Sequence, residues 1–361
     1  MSRSVSRDSG VSLALLEEPR LAAPPASPQD CTLELPVRSV LVGDETVSFA
    51  TAAAGARTAL AISTRVASAL FVTRGDQSIL ALEPPFEPAS TVSAAGARDT
   101  FVFAWADRTA IERRSRPTFA VLDEREQLAT FALEHQYALA MTEVLCERTS
   151  GTTRCGFGAG WREEFESTDD VRARFFAFAP STAGASLTLE ASPILQRTAP
   201  HSVLSTSPLR AHVRNGAATA RYSIDGPLAP VSEASIEEAF VAGQLRSLVA
   251  SAPSSERCQP NGWTLELSVP SGPSLRVATV DARPRGARVR ATGADGQSPI
   301  VFWLDEPQCA ERAHVVRATH AGQSVVLASA SEYDAASDRA LVSLAWRDAE
   351  RVRWARYRCP R

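Results

Sequence analysis

Apolar residues along this chain fall in short runs that alternate with polar positions or stand between turn-forming residues, and helical spacing is almost absent. The clearest stretch is Thr100 to Leu133, TFVFAWADRTAIERRSRPTFAVLDEREQLATFAL. Thr100 to Ala106 is an apolar run that stops at Asp107-Arg108, and an alternating segment follows to Arg114. Pro117 breaks it, and Thr118 to Leu122 and Gln127 to Leu133 then flank the polar turn Asp123 to Glu126. That order reads as one complete four-stranded antiparallel sheet. One stretch departs from the pattern: Ser235 to Glu238 has the form of a capping box, and Ile236, Phe240 and Val241 share a helical face before Gly243. The spacing predicts a short linking helix over Ala234 to Ala242.

The most apolar run of each unit predicts seven inner strands, at Thr58 to Thr64, Thr100 to Ala106, Ala138 to Leu145, Ser202 to Ser207, Leu245 to Ala252, Pro299 to Leu304 and Ala340 to Trp346. Sheets recurring at this interval define a β-propeller, here an all-β ring of seven four-stranded blades, with six or eight also compatible because the middle units are uneven. The pentapeptide AAGAR occurs at Ala53 to Arg57 and at Ala94 to Arg98, each time just before an apolar run. A second signature sits at the ends of three such runs as Trp-x-Asp: Trp105 with Asp107, Trp303 with Asp305, and Trp346 with Asp348. An acidic residue followed by Arg then opens the next strand, at Asp107-Arg108, Glu311-Arg312 and Glu350-Arg351. Each Trp is expected to pack at the edge of the core, and each Asp to bond the turn that follows.

An apolar strand, Trp-x-Asp, a turn and an Arg-bearing next strand together resemble the degenerate blades of exported bacterial β-propeller proteins, most of which have no assigned activity. The resemblance lies in Thr100 to Leu133 and Pro299 to Arg358, and it implies a fold only. The Gly-His and Trp-Asp pairing of WD40 blades is absent.

Six cysteines sharpen the picture. Cys146 and Cys155 bracket the polar loop ERTSGTTR, which fits a bridge across a hairpin. With Cys258 and Cys309 they are expected in loops joining a first strand to a second, so all emerge on one face and Cys258 can reach Cys309 in the neighbouring blade. Cys31 and Cys359 remain. Only two strands follow Ala340, so the last blade is expected to be closed by strand from residues 32–50, which brings Cys31 beside Cys359. Six reduced thiols in a cytosolic protein is the alternative.

Residues 1–30, with Pro24, Pro25 and Pro28, read as a flexible leader, and 31–361 as a single propeller domain. VSLALL after Arg3 and Arg7 is short for the core of a signal peptide, and no apolar run reaches the roughly eighteen residues that a membrane-spanning helix needs. A net charge of -3 gives no reason to expect nucleic acid. All 38 basic residues are Arg, without local clustering.

Chemistry is sparse. Gly-x-Ser-x-Gly and HExxH are absent, and His135, His201, His212, His314 and His320 are scattered. Ser223-Ile224-Asp225-Gly226 lacks the later Gly and the Trp of a sialidase turn and reads as an ordinary turn. The acidic run Glu163, Glu164, Glu166, Asp169 and Asp170 offers clustered carboxylates to calcium, with Glu163, Glu166, Asp169 and Asp170 as candidate ligands, although its spacing fails the EF-hand pattern. No other cofactor is expected, and the catalytic residues, if any, stay unknown. The chain therefore reads as a monomeric, non-catalytic binding or scaffold module, periplasmic, cell-surface or secreted, that recognises a protein or glycan through loops on one face. Two alternatives remain open: a polysaccharide hydrolase or lyase with channel-facing carboxylates, and an intracellular, cytoplasmic interaction hub.

Overall fold

The computed structural model describes residues 13–18, 31–43, 47–75, 78–88, 90–98, 100–108, 115–132, 140–141, 144–149, 152–161, 171–180, 190–191, 197–198, 203–207, 210–215, 218–223, 226–228, 235–241, 244–251, 262–268, 273–280, 283–292, 298–306, 315–320 and 323–360. Its strands form antiparallel sheets, taken here in chain order from the one that begins at Ser48. Sheet 1 holds Ser48–Ala54, Arg57–Ser63, Ser68–Thr73 and Ile79–Leu82; sheet 2 holds Thr91–Ala97, Thr100–Arg108, Ser115–Leu122 and Leu128–Ala132. Sheet 3 is built on Thr152–Trp161 and Val171–Phe178, with Ala140–Met141 and Leu145–Thr149 on one side and Glu190–Ala191 and Arg197–Thr198 on the other. Sheet 4 holds Val203–Ser207, Arg210–Asn215, Ala218–Ser223 and Gly226–Leu228; sheet 5 holds Ser235–Val241, Gln244–Ser251, Trp263–Ser268 and Leu275–Val280. Sheet 6 holds Arg283–Thr292, Ser298–Glu306, Val315–His320 and Gln323–Ser329. Sheet 7 runs Glu332–Asp338, Leu341–Asp348, Arg351–Arg358, Thr32–Leu41 and Leu15–Glu17.

Among the described residues the core consists of apolar layers between sheets 1 and 2, 2 and 3, 5 and 6, 6 and 7, and 7 and 1, and alternation along the second strands of sheets 2 and 6 explains their composition. Phe101, Phe103 and Trp105 point into the layer shared with sheet 1, whereas Val102 and Ala104 point into the layer shared with sheet 3. Both faces are buried, so the strand reads as a continuous apolar run, and each large side chain removed from water contributes about 1.5–3 kcal/mol. Ile300, Phe302 and Leu304 divide from Val301 and Trp303 in the same way. All three Trp-x-Asp tryptophans are buried and face the preceding sheet.

This corrects the sequence reading, in which the most apolar strand was the innermost. Five of the seven runs form second strands, the run at Ser202 to Ser207 forms a first strand, and Ala138 to Leu145 gives Ala140–Met141 and the start of Leu145–Thr149. First strands sit where the sheets crowd together, and small residues suit them: sheets 1 and 2 meet through SFATAAA and TVSAAGA. Sheet 2 therefore begins at Thr91 rather than Thr100; residues 109–114, expected as strand, lie outside the described residues. The two AAGAR segments are not equivalent, because Gly55 occupies a turn at φ 59° while Gly96 lies inside a strand. The predicted helix is the strand Ser235–Val241: pairing with Gln244–Ser251 outweighs the local capping pattern, and the register skips Ile236 as a bulge.

Closure by an N-terminal strand is seen as pairing of Thr32–Leu41 with Arg351–Arg358. Only that strand of residues 32–50 joins sheet 7, since Ser48–Ala54 opens sheet 1 and Glu332–Asp338 supplies the remaining strand. Within the leader, Leu15–Glu17 is itself an added strand. The join is pinned by a Cys31–Cys359 disulfide and by Glu34, which takes 2.6 Å from Arg356 Nε and 2.7 Å from Arg358 Nε. Arg356 is 2% exposed and also donates to Thr73 Oγ1 at 3.1 Å, which ties sheet 7 to sheet 1.

Two outcomes follow. Glu34→Ala leaves a buried guanidinium without its carboxylate and is expected to cost about 3–5 kcal/mol in urea denaturation, whereas Glu126→Ala at the surface stays within about 1 kcal/mol. Gly96→Ala would place Cβ 2.2 Å from the Ala53 carbonyl oxygen, a backbone atom with little room to yield. It is expected to cost about 1–3 kcal/mol, with the loss concentrated in the packing of sheets 1 and 2, and a melting temperature equal to wild type would refute the close approach.

Candidate functional site

Inner strands touch from sheet to sheet, with sheet 3 meeting sheet 4 through Thr152–Trp161 and Val203–Ser207, and sheet 7 returns to sheet 1 through Glu332–Asp338 and Ser48–Ala54. Polar side chains on this inner edge are the candidates for chemistry. Sheets 1 and 2 present Ala, Gly, Ser and Thr there, whereas sheets 6 and 7 bring charge through Arg288, Arg290, Asp334 and Asp338. Two-residue spacing sets Arg288 and Arg290 on one face of their strand, toward Glu332–Asp338.

Asp334 is the meeting point. One carboxylate oxygen accepts the Thr51 amide at 2.7 Å, the other accepts the Ala335 amide at 2.9 Å, and Arg288 Nη1 stands 3.6 Å away. Arg290 Nε donates to the Ala335 carbonyl at 2.5 Å, and Asp338 accepts the Gly55 amide at 2.6 Å. Beside this lies a buried relay in which Trp354 Nε1 donates to Ser343 Oγ at 2.8 Å, Ser343 Oγ donates to Thr51 Oγ1 at 2.5 Å, and Thr51 Oγ1 donates to the Ala59 carbonyl at 2.8 Å. These groups join sheets 6, 7 and 1.

The Trp-x-Asp signature does structural work. Trp303 Nε1 donates to Asp305 at 2.9 Å, and Asp305 pairs in turn with Arg317, which lies directly across from Trp303. Asp348 pairs with Arg353 at 2.8 Å, and Arg353 faces Trp346 across the ladder. Thr118 takes that place opposite Trp105. In sheets 6 and 7 the signature thus closes the strand end onto an Arg of the third strand, where a bond to the turn was expected.

Cys146 and Cys155 are paired across their hairpin with Cα atoms 4.0 Å apart, which gives a second disulfide. That hairpin lies at a first-to-second connection. Where the sequence predicts connections from a first strand to a second around Cys258 and Cys309, the segments 252–262 and 307–314 join second strands to third. Cys258, Cys309 and the calcium candidates Glu163, Glu166, Asp169 and Asp170 lie outside the described residues. Among the described residues no group of His, Cys, Asp and Glu is arranged to hold a metal ion. Arg288, Arg290, Asp334 and Asp338 went unnoticed in the sequence; the spacing of the two arginines within ARVR marks them once Arg283–Thr292 is known to be a first strand.

No protein-family model matches the chain, and no curated protein matches it in sequence. Solved structures do. The β-propeller domain of Cps50 (Swd1) from Myceliophteria thermophila is similar at a TM-score of 0.50 and 10% identity, over 88% of this chain and 97% of that one. The chain folds as a β-propeller. The acylaminoacyl peptidase of Pyrococcus horikoshii gives a TM-score of 0.50 at 11% identity over 86% of this chain and 53% of its own. Virginiamycin B lyase from Staphylococcus aureus gives 0.44 at 9% identity, over 90% of this chain and 99% of its own. At these identities the likeness concerns the propeller scaffold alone.

At the tight-turn end, Arg74 and Glu126 join sheets 1 and 2 through a two-bonded pair of 2.6 and 2.8 Å. Those bonds, followed by the charges of Arg74 and Arg57, hold the Glu126 carboxyl below the ordinary glutamate range. A lowered value favours the folded state above the ordinary glutamate range, and this contribution is lost as the pH falls through the lowered midpoint. Carboxyl NMR titration is expected to give Glu126 a midpoint below that of exposed glutamates, and Arg74→Ala to return it toward them.

Proposed function

We propose that the chain is a seven-bladed propeller that serves as a non-catalytic binding or scaffold module in an oxidising compartment outside the cytoplasm, holding a protein or glycan at one end of the ring. The asymmetry of the two ends carries this reading. First-to-second connections are mostly two residues long, as in Ala54↔Arg57, Ala97↔Thr100, Thr149↔Thr152, Ser207↔Arg210, Val241↔Gln244 and Asp338↔Leu341. Second-to-third connections leave from the other end and include 109–114, 162–170, 252–262 and 307–314. Connections of that size on a rigid scaffold are the usual carriers of recognition. The charged groups of the inner edge are engaged in bonds between sheets, which supports a structural use for them. The Cys31–Cys359 and Cys146–Cys155 bridges support an oxidising compartment.

A hydrolase or lyase acting on polysaccharide is the second reading, favoured by Asp334 and Asp338 on one inner strand beside Arg288. One assay separates the two. Oxidised protein is passed over immobilised polysaccharides and glycoproteins while the flow-through is measured for new reducing ends and unsaturated sugars. Capture without product, weakened at least tenfold when 252–262 or 307–314 is replaced by a short Gly-Ser link at unchanged melting temperature, is the expected result. Product formation that Asp338→Asn abolishes would establish the enzyme instead.

A further inference from the structure

The strand that closes sheet 7 leaves an edge of its own. Thr32–Leu41 pairs through one side with Arg351–Arg358, and its other side carries the leader strand Leu15–Glu17. The two halves of that outer side differ. Toward Thr32 it contains Pro36, which has no amide hydrogen to offer, and register shifts between Leu33 and Leu35 and between Leu35 and Arg38. Proline and bulges are devices that keep an edge from pairing. Toward Leu41 the ladder is regular, and there Leu15, Leu16 and Glu17 pair with Val40, Ser39 and Arg38, while the Glu18 amide donates to the Val37 carbonyl at 3.2 Å.

This half of the edge selects for side chains as well as for extended backbone. Leu13 and Leu15 pack against the layer of Val40, Leu60, Phe71 and Trp354. Glu17 meets Arg38 at 2.6 Å, and Glu18, whose side chain is 8% exposed, meets Arg353 Nε at 3.0 Å. Two apolar residues in alternate positions followed by two adjacent carboxylates therefore match two apolar sockets and two guanidinium groups. The hold is slight: the strand is three residues long, Leu16 is 48% exposed, and Glu17 is largely in water.

We infer that the Val37–Leu41 edge is a strand-addition site for an extended peptide of the pattern apolar-x-apolar-x-acidic-acidic, and that the chain's own Leu13–Glu18 is its resident, displaceable occupant. Backbone pairing gives such a site its affinity and the alternate side chains give its specificity. The partner is a separate protein that presents this pattern, and a resident copy sets the threshold for its entry, because a competitor's apparent affinity is reduced in proportion to the small fraction of sites left open. The inference does not depend on the ligand of the loop-bearing end.

The test uses the full chain and a labelled synthetic peptide covering residues 11–20, VSLALLEEPR, read by fluorescence anisotropy. Leu15→Asp weakens the resident strand without touching the ring, and this variant is expected to bind the peptide at least tenfold tighter than wild type. Reversing both peptide carboxylates to Arg is expected to abolish binding, and pairing a peptide that carries only Glu17→Arg with an Arg38→Glu chain to restore part of it. Equal binding by wild-type and Leu15→Asp chains, or by a scrambled peptide, would overturn the site. A wild-type chain that sediments as a leader-exchanged dimer would overturn the separate partner in favour of a second copy of this chain.

Discussion

Everything in this fold leans on the pairing of Thr32–Leu41 with Arg351–Arg358. Sheets 1, 2, 6 and 7 are apolar on both faces, so each needs a neighbour on either side, and a row of such sheets would leave two faces bare. Bringing sheet 7 against sheet 1 removes both bare faces at once, as the layer of Val40, Leu60, Ile62, Val352 and Trp354 shows. Sheet 7 is complete only with a strand from the far end of the chain. Joining Cys31 to Cys359, 328 positions apart, removes loop entropy from the unfolded chain that a simple entropic account sets at about 6 kcal/mol. Glu34 contributes in a different way. A buried ion pair returns little net stability, but it fixes register, and a closing strand interrupted by two register shifts needs something other than its pleat to set which residue faces which. Arg356 and Arg358, two positions apart on one face, converge on that single carboxylate.

Position along each sheet determines composition more strictly than burial alone. The second strands of sheets 2 and 6 are covered on both faces and take large apolar residues. First strands meet one another where the sheets crowd, so sheets 1 and 2 use alanine and glycine at the point where Gly96 lies against Ala53. Where the inner edge is wider in chemistry, between sheets 6, 7 and 1, charge enters and is answered within the chain: Asp334 joins an amide of sheet 1 to a guanidinium of sheet 6. The same arrangement that could present carboxylates to a substrate serves here to couple three sheets.

Much of this was legible in the residues, and what was missed has a common cause. Strand content, the tight turns, the buried Trp-x-Asp tryptophans and the closing of sheet 7 by an N-terminal strand are local or compositional signals. Hydrophobicity reports that Phe101 to Trp105 is covered on both faces, but it carries no information on distance from the axis, so the second strand was taken for the innermost and sheet 2 was begun one strand late. Ser235–Val241 was read as helix because the capping box is a local signal, while the pairing with Gln244–Ser251 that decides the matter is only partly so. The inner-edge cluster and the Glu34 join were invisible because their members are single charged residues far apart in sequence, as with Glu34 and Arg356. Nothing in either neighbourhood marks them as partners.

Closing a ring by strand addition also has a geometric consequence. A terminal strand that fills the last place in a sheet becomes that sheet's new outer edge, and its unpaired amides and carbonyls are exposed in the place of those it covered. Here the problem is handled in two parts. Pro36 and the neighbouring bulges disarm the half near the Cys31–Cys359 bridge, where rigidity serves closure. The half beyond Val37 keeps regular backbone, because Arg38 to Leu41 must stay in register with Arg351 to Trp354 for Val40 and Trp354 to fill the layer against sheet 1. Regular pairing on one side of a strand leaves regular hydrogen-bonding groups on the other. An addressable edge is thus a by-product of bringing Thr32–Leu41 into sheet 7, and Leu15–Glu17 covers the stretch from Arg38 to Val40.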